Sequence, residues 1–309
     1  MREKNDQRKK RDSAVTATLL GIFVINVVVT AFKLVAGYLS GSLALIGDGF
    51  HSIGDAGANI VGLIGLKISM LPADDSHPYG HRKFESAASL AIAVMLIISA
   101  WEIMQSIIRR FVDESADHIH ADPWVFGVVL GTIVINIGIT VYERRQGKLH
   151  NSPILIADSY HTLTDVFNSF LALAAIAASL YGILWLDLVA AVIIVMLVLR
   201  AAWDILRKES VTLLDGARLE ADDIRGLVMA VPNVSDCHDI RSRGTENEIW
   251  VDLHIVVPPD ISAQETYDVE KQVRDRLKAV FPQIETVYIH HQTHEAGAGS
   301  DSHSVPAHR

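Results

Sequence analysis

The sequence predicts an α-helical membrane protein: six transmembrane helices followed by a small soluble α/β domain. Three observations carry this reading. Half of the 309 residues are hydrophobic, and long apolar runs fill the first two thirds of the chain. The last third instead alternates polar and apolar residues, as the half-buried elements of a soluble domain do. Charge divides at the same place. Residues 1–208 hold 18 Lys+Arg and 18 Asp+Glu, whereas residues 209–295 hold 8 and 17, which is the whole formal net charge of −9. An acidic surface attracts cations and repels nucleic acid, so no nucleic-acid partner is expected.

A spanning helix needs roughly 20 mainly apolar residues to cross a hydrocarbon core of about 30 Å. Six stretches qualify: 14–39, 42–70, 86–111, 123–142, 152–181 and 186–206. Asp122-Pro123 is a helix start, a capping carboxylate followed by proline at the first helical position. The basic N-terminus is too charged, and the run after it too long, for a cleaved signal peptide. Lys and Arg concentrate in the arm, in the 71–85 and 143–151 loops and after the sixth span, with Arg109 and Arg110 as exceptions. That bias places both termini in the cytoplasm. The single cysteine, Cys237, cannot form an internal disulfide and fits a reducing compartment.

Beyond the spans, the pattern gives a helix at 220–231, strands at 234–243 and 248–257, a helix at 263–280 and a strand at 284–292. This αββαβ order fits a two-layer sandwich. Val251, Leu253, Ile255 and Val257 take one face of the middle strand, and Trp250, Asp252 and His254 the other. The expected organisation is a basic cytosolic arm (1–12), a membrane domain (13–208), the αββαβ domain (209–295) and a disordered tail (296–309).

The chemistry lies in a repeat. Span two reads LIGDGFHSIGD from Leu45 to Asp55, and span five reads LIADSYHTLTD from Leu155 to Asp165. In each copy a histidine precedes an aspartate by four residues, which stacks them on one helix face. Ionisable residues inside a membrane are costly and mark functional sites. His51, Asp55, His161 and Asp165 together offer two imidazoles and two carboxylates, a tetrahedral set suited to Zn²⁺. The competing reading is a hydrogen-bond network that holds helices together. Asp48 and Asp158, three residues before each histidine, suit a supporting role in orienting the imidazoles. Metal binding needs neutral imidazole and ionised carboxylate, so a site of this kind exchanges metal for protons. After span two, PADDSHPYGH brings Asp74, His77 and His81 together at spacings of three and four. Either a second, more exposed metal site or a polar surface loop fits that stretch.

Taken together, the six spans, the paired motifs, the DD-x-HPYGH loop and the small C-terminal domain resemble the cation diffusion facilitator family over residues 10–295. The resemblance implies a homodimeric, multi-pass metal/proton antiporter of a bacterial inner membrane, working by alternating access, and not an enzyme. It implies transport of Zn²⁺, which His51 favours, with Fe²⁺, Cd²⁺, Co²⁺ and Mn²⁺ left open by the loop sequence. It places the transport site on His51, Asp55, His161 and Asp165, and a second site on Asp74, His77 and His81. It implies a charge interlock of Lys83 with Asp215. The C-terminal domain is expected to be metallochaperone-like and to bind metal through His238, His254 and His290. Gln292 stands where some members have Asp, leaving His291, Cys237 or Asp239 to compensate. Two alternatives of other classes are a membrane zinc hydrolase and a metal sensor that does not transport.

Overall fold

The structure, a computed structural model, describes residues 2–40, 43–112, 123–181 and 184–293. The chain forms two compact units, Met1–Leu214 and Asp215–Arg309. The expected tail at 296–309 lies outside the described residues.

The first unit contains α1 (Arg2–Ser40), α2 (Leu43–Ser69), α3 (Lys83–Val112), α4 (Pro123–Leu149), α5 (Pro153–Tyr181) and α6 (Leu184–Leu213). Among the described residues, windows in α1 (Asp6–Ala36), α3 (Lys83–Gln105) and α4 (Gly127–Leu149) are long and apolar enough to cross a membrane. Several helices outrun the expected spans. α1 begins at Arg2, so the basic arm continues the helix, and α4 carries on through the polar YERRQGKL stretch. Glu, Arg, Gln and Lys are good helix formers, and a helix satisfies its own backbone whether or not lipid surrounds it.

The helices pack through Leu19, Ala58, Leu66, Ile92, Leu96, Ile154 and Leu155, all at most 1% exposed. Outward, α1 shows Val28 and Phe32, α4 shows Val134 and Val141, and α6 shows Met196 and Trp203. An apolar exterior is what a hydrocarbon solvent selects.

A polar clasp closes one end of the bundle. Arg11 of α1 donates to both carboxylate oxygens of Glu85 in α3, at 2.8 and 2.9 Å, and to the carbonyls of His150 and Asn151. Ser152 donates to Glu85 at 2.6 Å, and Arg82 grips Asp12 with two bonds of 2.9 Å. These bonds tie α1 to α3 and to the α4–α5 turn.

The second unit contains α7 (Ala221–Met229), β1 (Asp236–Gly244), β2 (Ile249–Val257), α8 (Ala263–Val280) and β3 (Ile284–Thr293). The sheet order is β1-β2-β3, with β1 antiparallel and β3 parallel to β2. The parallel pair requires a crossover, which α8 supplies. Ser262 and Glu265 form a capping box at the start of α8. Val251, Leu253, Ile255 and Val257 are buried against Val269, Val273 and Leu277 of α8.

Cys237 belongs to this core. It is fully buried, and burial pushes its thiol up to about 11. The thiolate is the reactive form. Folded protein is therefore expected to resist iodoacetamide near pH 8 and to label only once denaturant opens the domain. Rapid labelling of folded protein would contradict this packing.

Candidate metal centres

Among the described residues, α2 and α5 meet at a close approach and a strong hydrogen bond. A Cβ built on Gly62 would lie 2.9 Å from Ile154 Cγ2, so only glycine lets the helices come this near. Asn59 Nδ2 donates to Asp158 Oδ2 at 2.7 Å, and Asn26 Nδ2 of α1 donates to Asn59 Oδ1 at 2.9 Å. The contact pairs 62/154 and 59/158 run in opposite directions, so the helices are antiparallel. From the Asn59–Asp158 bond, at 1.5 Å per residue, Asp55 and His51 lie about 6 and 12 Å along α2. His161 and Asp165 lie about 4.5 and 10.5 Å along α5. The two motif turns therefore sit at matching heights on neighbouring helices.

His161 is 4% exposed and Asp158 fully buried. The side chains of His51, Asp55 and Asp48 lie outside the described residues, although their backbone is helical. Thr162 donates to Glu143 Oε2 at 3.1 Å, which holds the fully buried Glu143 of α4 beside Asp158. The sequence reading missed Glu143. Its neighbours Arg144, Arg145 and Lys148 marked the stretch as loop, whereas α4 carries it inward.

The loop between α2 and α3 does gather its three residues. Asp74, His77 and His81 place one ligand atom each within 4.8 Å of one another. Asp74 Oδ1 accepts from the amides of His77 (2.6 Å) and Ser76 (3.0 Å), and chiefly the His77 amide holds this carboxyl below its ordinary value. Gly80, at φ +84°, turns the chain so that His81 reaches back. His81 is 5% exposed, and its Nδ1 lies 3.0 Å from the Pro72 carbonyl. A carbonyl only accepts, so Nδ1 carries the proton and Nε2 faces Asp74 Oδ2 at 3.4 Å.

In the second unit, strand register aligns His238 with His254 and His254 with His290. Ring centroids are 5.5 Å apart for the first pair and 4.9 Å for the second. A bulge after His238 puts Asp239 at φ 51°, and Asp239, His238 and His254 then bring ligand atoms within 4.8 Å. Burial, then the neighbouring His290, lowers the proton affinity of His254. Gln292 lies 2.9 Å from His254 Nδ1, so it is placed to orient that ring. Two expected compensations fail. His291 pairs in register with Ile255, and its Nδ1 lies 3.1 Å from Glu270 of α8, away from the other histidines. Cys237 points into the core. A single step along a strand reverses the face, which separates His291 from His290.

Lys83 opens α3, and Asp215 opens the second unit at φ 57°. They belong to different units.

Residues 19–214 match the family model described as the cation efflux transmembrane domain, and residues 217–294 match the cation efflux protein cytoplasmic domain. The chain belongs to the cation diffusion facilitator family. An uncharacterised transporter of Methanocaldococcus jannaschii is 32% identical, over 89% of this chain and 97% of that protein. The manganese efflux system protein MneS of Bacillus subtilis is 30% identical, over 89% and 93%. The cation-efflux pump FieF of Shewanella oneidensis is 28% identical, over 90% and 92%. As a member of this family the chain is a multi-pass metal-cation transporter and not an enzyme, which disposes of the hydrolase alternative.

The loop geometry ranks its histidines. His81 is buried and pinned by Pro72, whereas His77 is exposed. In a His161→Ala/His254→Ala background, which leaves the loop as the remaining candidate centre, His81→Ala is expected to weaken Zn²⁺ binding about 100-fold, and His77→Ala about tenfold. Titration calorimetry of the full chain in detergent reads both, and the reverse order would refute the ranking.

Proposed function

We propose that this protein exports divalent transition-metal cations from the cytoplasm in exchange for protons, with Zn²⁺ as its main substrate. The ion is held between α2 and α5 on His51, Asp55, His161 and Asp165. One observation carries the proposal: the Asn59–Asp158 bond sets two antiparallel helices so that both histidine–aspartate turns stand level. Two imidazoles and two carboxylates suit a small tetrahedral cation. Protons compete for the same atoms, so metal loads where protons leave and is released where protons load. Alternate opening of the site to the two sides completes the cycle. Asp158 supports the site from below, and Asp48 is assigned the same part on α2.

The loop residues Asp74, His77 and His81 form the second site. In the C-terminal domain, His238, His254 and His290 form a cytosolic site, with Asp239 as the added carboxylate. That domain pairs two copies into a homodimer, and both termini face the cytoplasm of a bacterial inner membrane. Manganese is the second reading for the substrate, favoured by the likeness to a protein named for manganese efflux. Fe²⁺, Cd²⁺ and Co²⁺ remain within reach of the same ligands.

The test is metal-dependent proton flux in proteoliposomes across a panel of these cations. His161→Ala and Asp165→Ala are each expected to cut flux at least about 100-fold while the protein stays monodisperse. Undiminished flux in either variant would refute the ligand set. A cation order led by Mn²⁺ would overturn the zinc assignment alone.

A further inference from the structure

α1 carries a lysine where lipid-spanning helices rarely tolerate one. Lys33 lies within the apolar window Asp6–Ala36 and is only 4% exposed. Its Nζ donates to Ser52 Oγ of α2 at 3.0 Å. The approach is prepared by the next residue along. A Cβ on Gly49 would lie 2.6 Å from Leu34 Cδ2 and 3.3 Å from the Leu34 backbone nitrogen, so α1 and α2 come into near contact beside Lys33. Ser52 follows His51 and lies one helical turn from both Asp48 and Asp55. The ammonium is therefore delivered to the motif turn of α2. A neutral hydroxyl orients a cation but does not neutralise it, and a buried charge needs opposite charge close by. The acidic positions one turn to either side of Ser52 are Asp48 and Asp55. Across the helix pair, α5 adds Asp158 and Asp165, and α4 adds Glu143.

We propose that Lys33 is a tethered counter-cation of the transport site, resting on the four-ligand reading above. Without metal, its fixed positive charge balances the carboxylates that the ion will use. With metal present, it repels the divalent ion and keeps binding weak enough for release. Direct coordination supplies affinity, and Lys33 sets an upper limit on it. Charges a few ångströms apart in a low-dielectric interior interact far more strongly than in water, so one lysine suffices. Because an ammonium opposes any divalent cation, the effect falls on Zn²⁺ and Mn²⁺ alike.

The experiment uses the full chain, with Zn²⁺ and Mn²⁺ as probes, in detergent for affinity and in proteoliposomes for rate. Lys33→Met keeps the length and removes the charge. It is expected to tighten binding of both ions about tenfold, lowering KM and the maximal rate together because release slows. Damage to the fold weakens binding instead, so the sign separates the two. Lys33→Arg keeps the charge and is expected to restore the parent affinity. Ser52→Ala removes the hydrogen bond but not the charge, and its shift is expected to be smaller than that of Lys33→Met. Should Lys33→Met fail to fold, Lys33→Gln replaces it with the same expectation. Equal or weaker binding in a folded, uncharged variant would overturn the proposal, as would a Ser52→Ala effect equal to that of Lys33→Met. Asp165→Ala, read in a His81→Ala/His254→Ala background so that the loop and strand sites do not contribute, separates the levels of failure. If it leaves binding intact, the four-ligand reading falls. If it abolishes binding while Lys33→Met fails to tighten it, the role of Lys33 alone falls.

Discussion

The hydrogen bond from Asn59 to Asp158 sets the relative heights of the two helices that matter most. It joins a buried amide to a buried carboxylate, so breaking it strands a buried acceptor. Asn26 extends the chain to α1, and Gly62 removes the side chain that would otherwise hold α2 and α5 apart. Sliding one helix by a turn would forfeit both the bond and the close packing. The histidine–aspartate turns are level because this joint is fixed, a little more than one turn away. At the end of the bundle, the bonds of Arg11 to Glu85 and Arg82 to Asp12 restrict α1 and α3 in the same way.

The broad architecture was legible because its signals are strong and local. Runs of apolar residues predict spans without reference to partners, and a period of two predicts strands. The six helices and the αββαβ order follow from these alone. The repeat LIGDGFHSIGD/LIADSYHTLTD was legible for another reason: the same costly residues recur inside two apolar runs. What escaped depends on neighbours. Glu143 sits in a basic stretch that reads as loop, and its burial beside Asp158 is set by Thr162 on another helix. Lys33 is a lysine in an apolar run whose neighbour Ser52 becomes known only once α2 is placed. The Asp239 bulge has no sequence signature, although it decides which carboxylate joins His238 and His254. Gln292 read as a lost ligand because only its identity was visible, and not its position beside His254 Nδ1.

Charge is handled differently in the two units. In the second unit, Asp236 stays near water and its partners merely adjust it. At Asp236, burial works against ionisation, but the Cys237 amide, His238 and Arg225 outweigh it and hold the carboxyl below its usual value. In the helical unit, several buried ionisable groups are held by specific neighbours, because lipid offers none. Asp158 has Asn59, Glu143 has Thr162, Glu85 has Arg11 and Ser152, and Lys33 has Ser52. Removing one member leaves its partner buried and unsatisfied, so these groups constrain one another beyond any direct contribution to stability.

Burial also separates the three candidate centres by the kind of binding each can support. Asp74 and His77 are exposed, and the His238–His254 row is half-buried, whereas His161 is 4% exposed. A divalent ion gives up hydration only where protein ligands replace it, and the cost of a missing ligand grows as water is excluded. An exposed centre lets water complete the shell, which favours quick exchange and weak discrimination between metals. At the α2–α5 level, His161 and its partners would have to supply the shell with little help from solvent, which favours selection by ligand number and geometry. On the proposed reading, selectivity therefore belongs to the centre that includes the buried His161. The loop and strand centres, each with at least one ligand in reach of water, are suited to concentrating the cation and responding to its level.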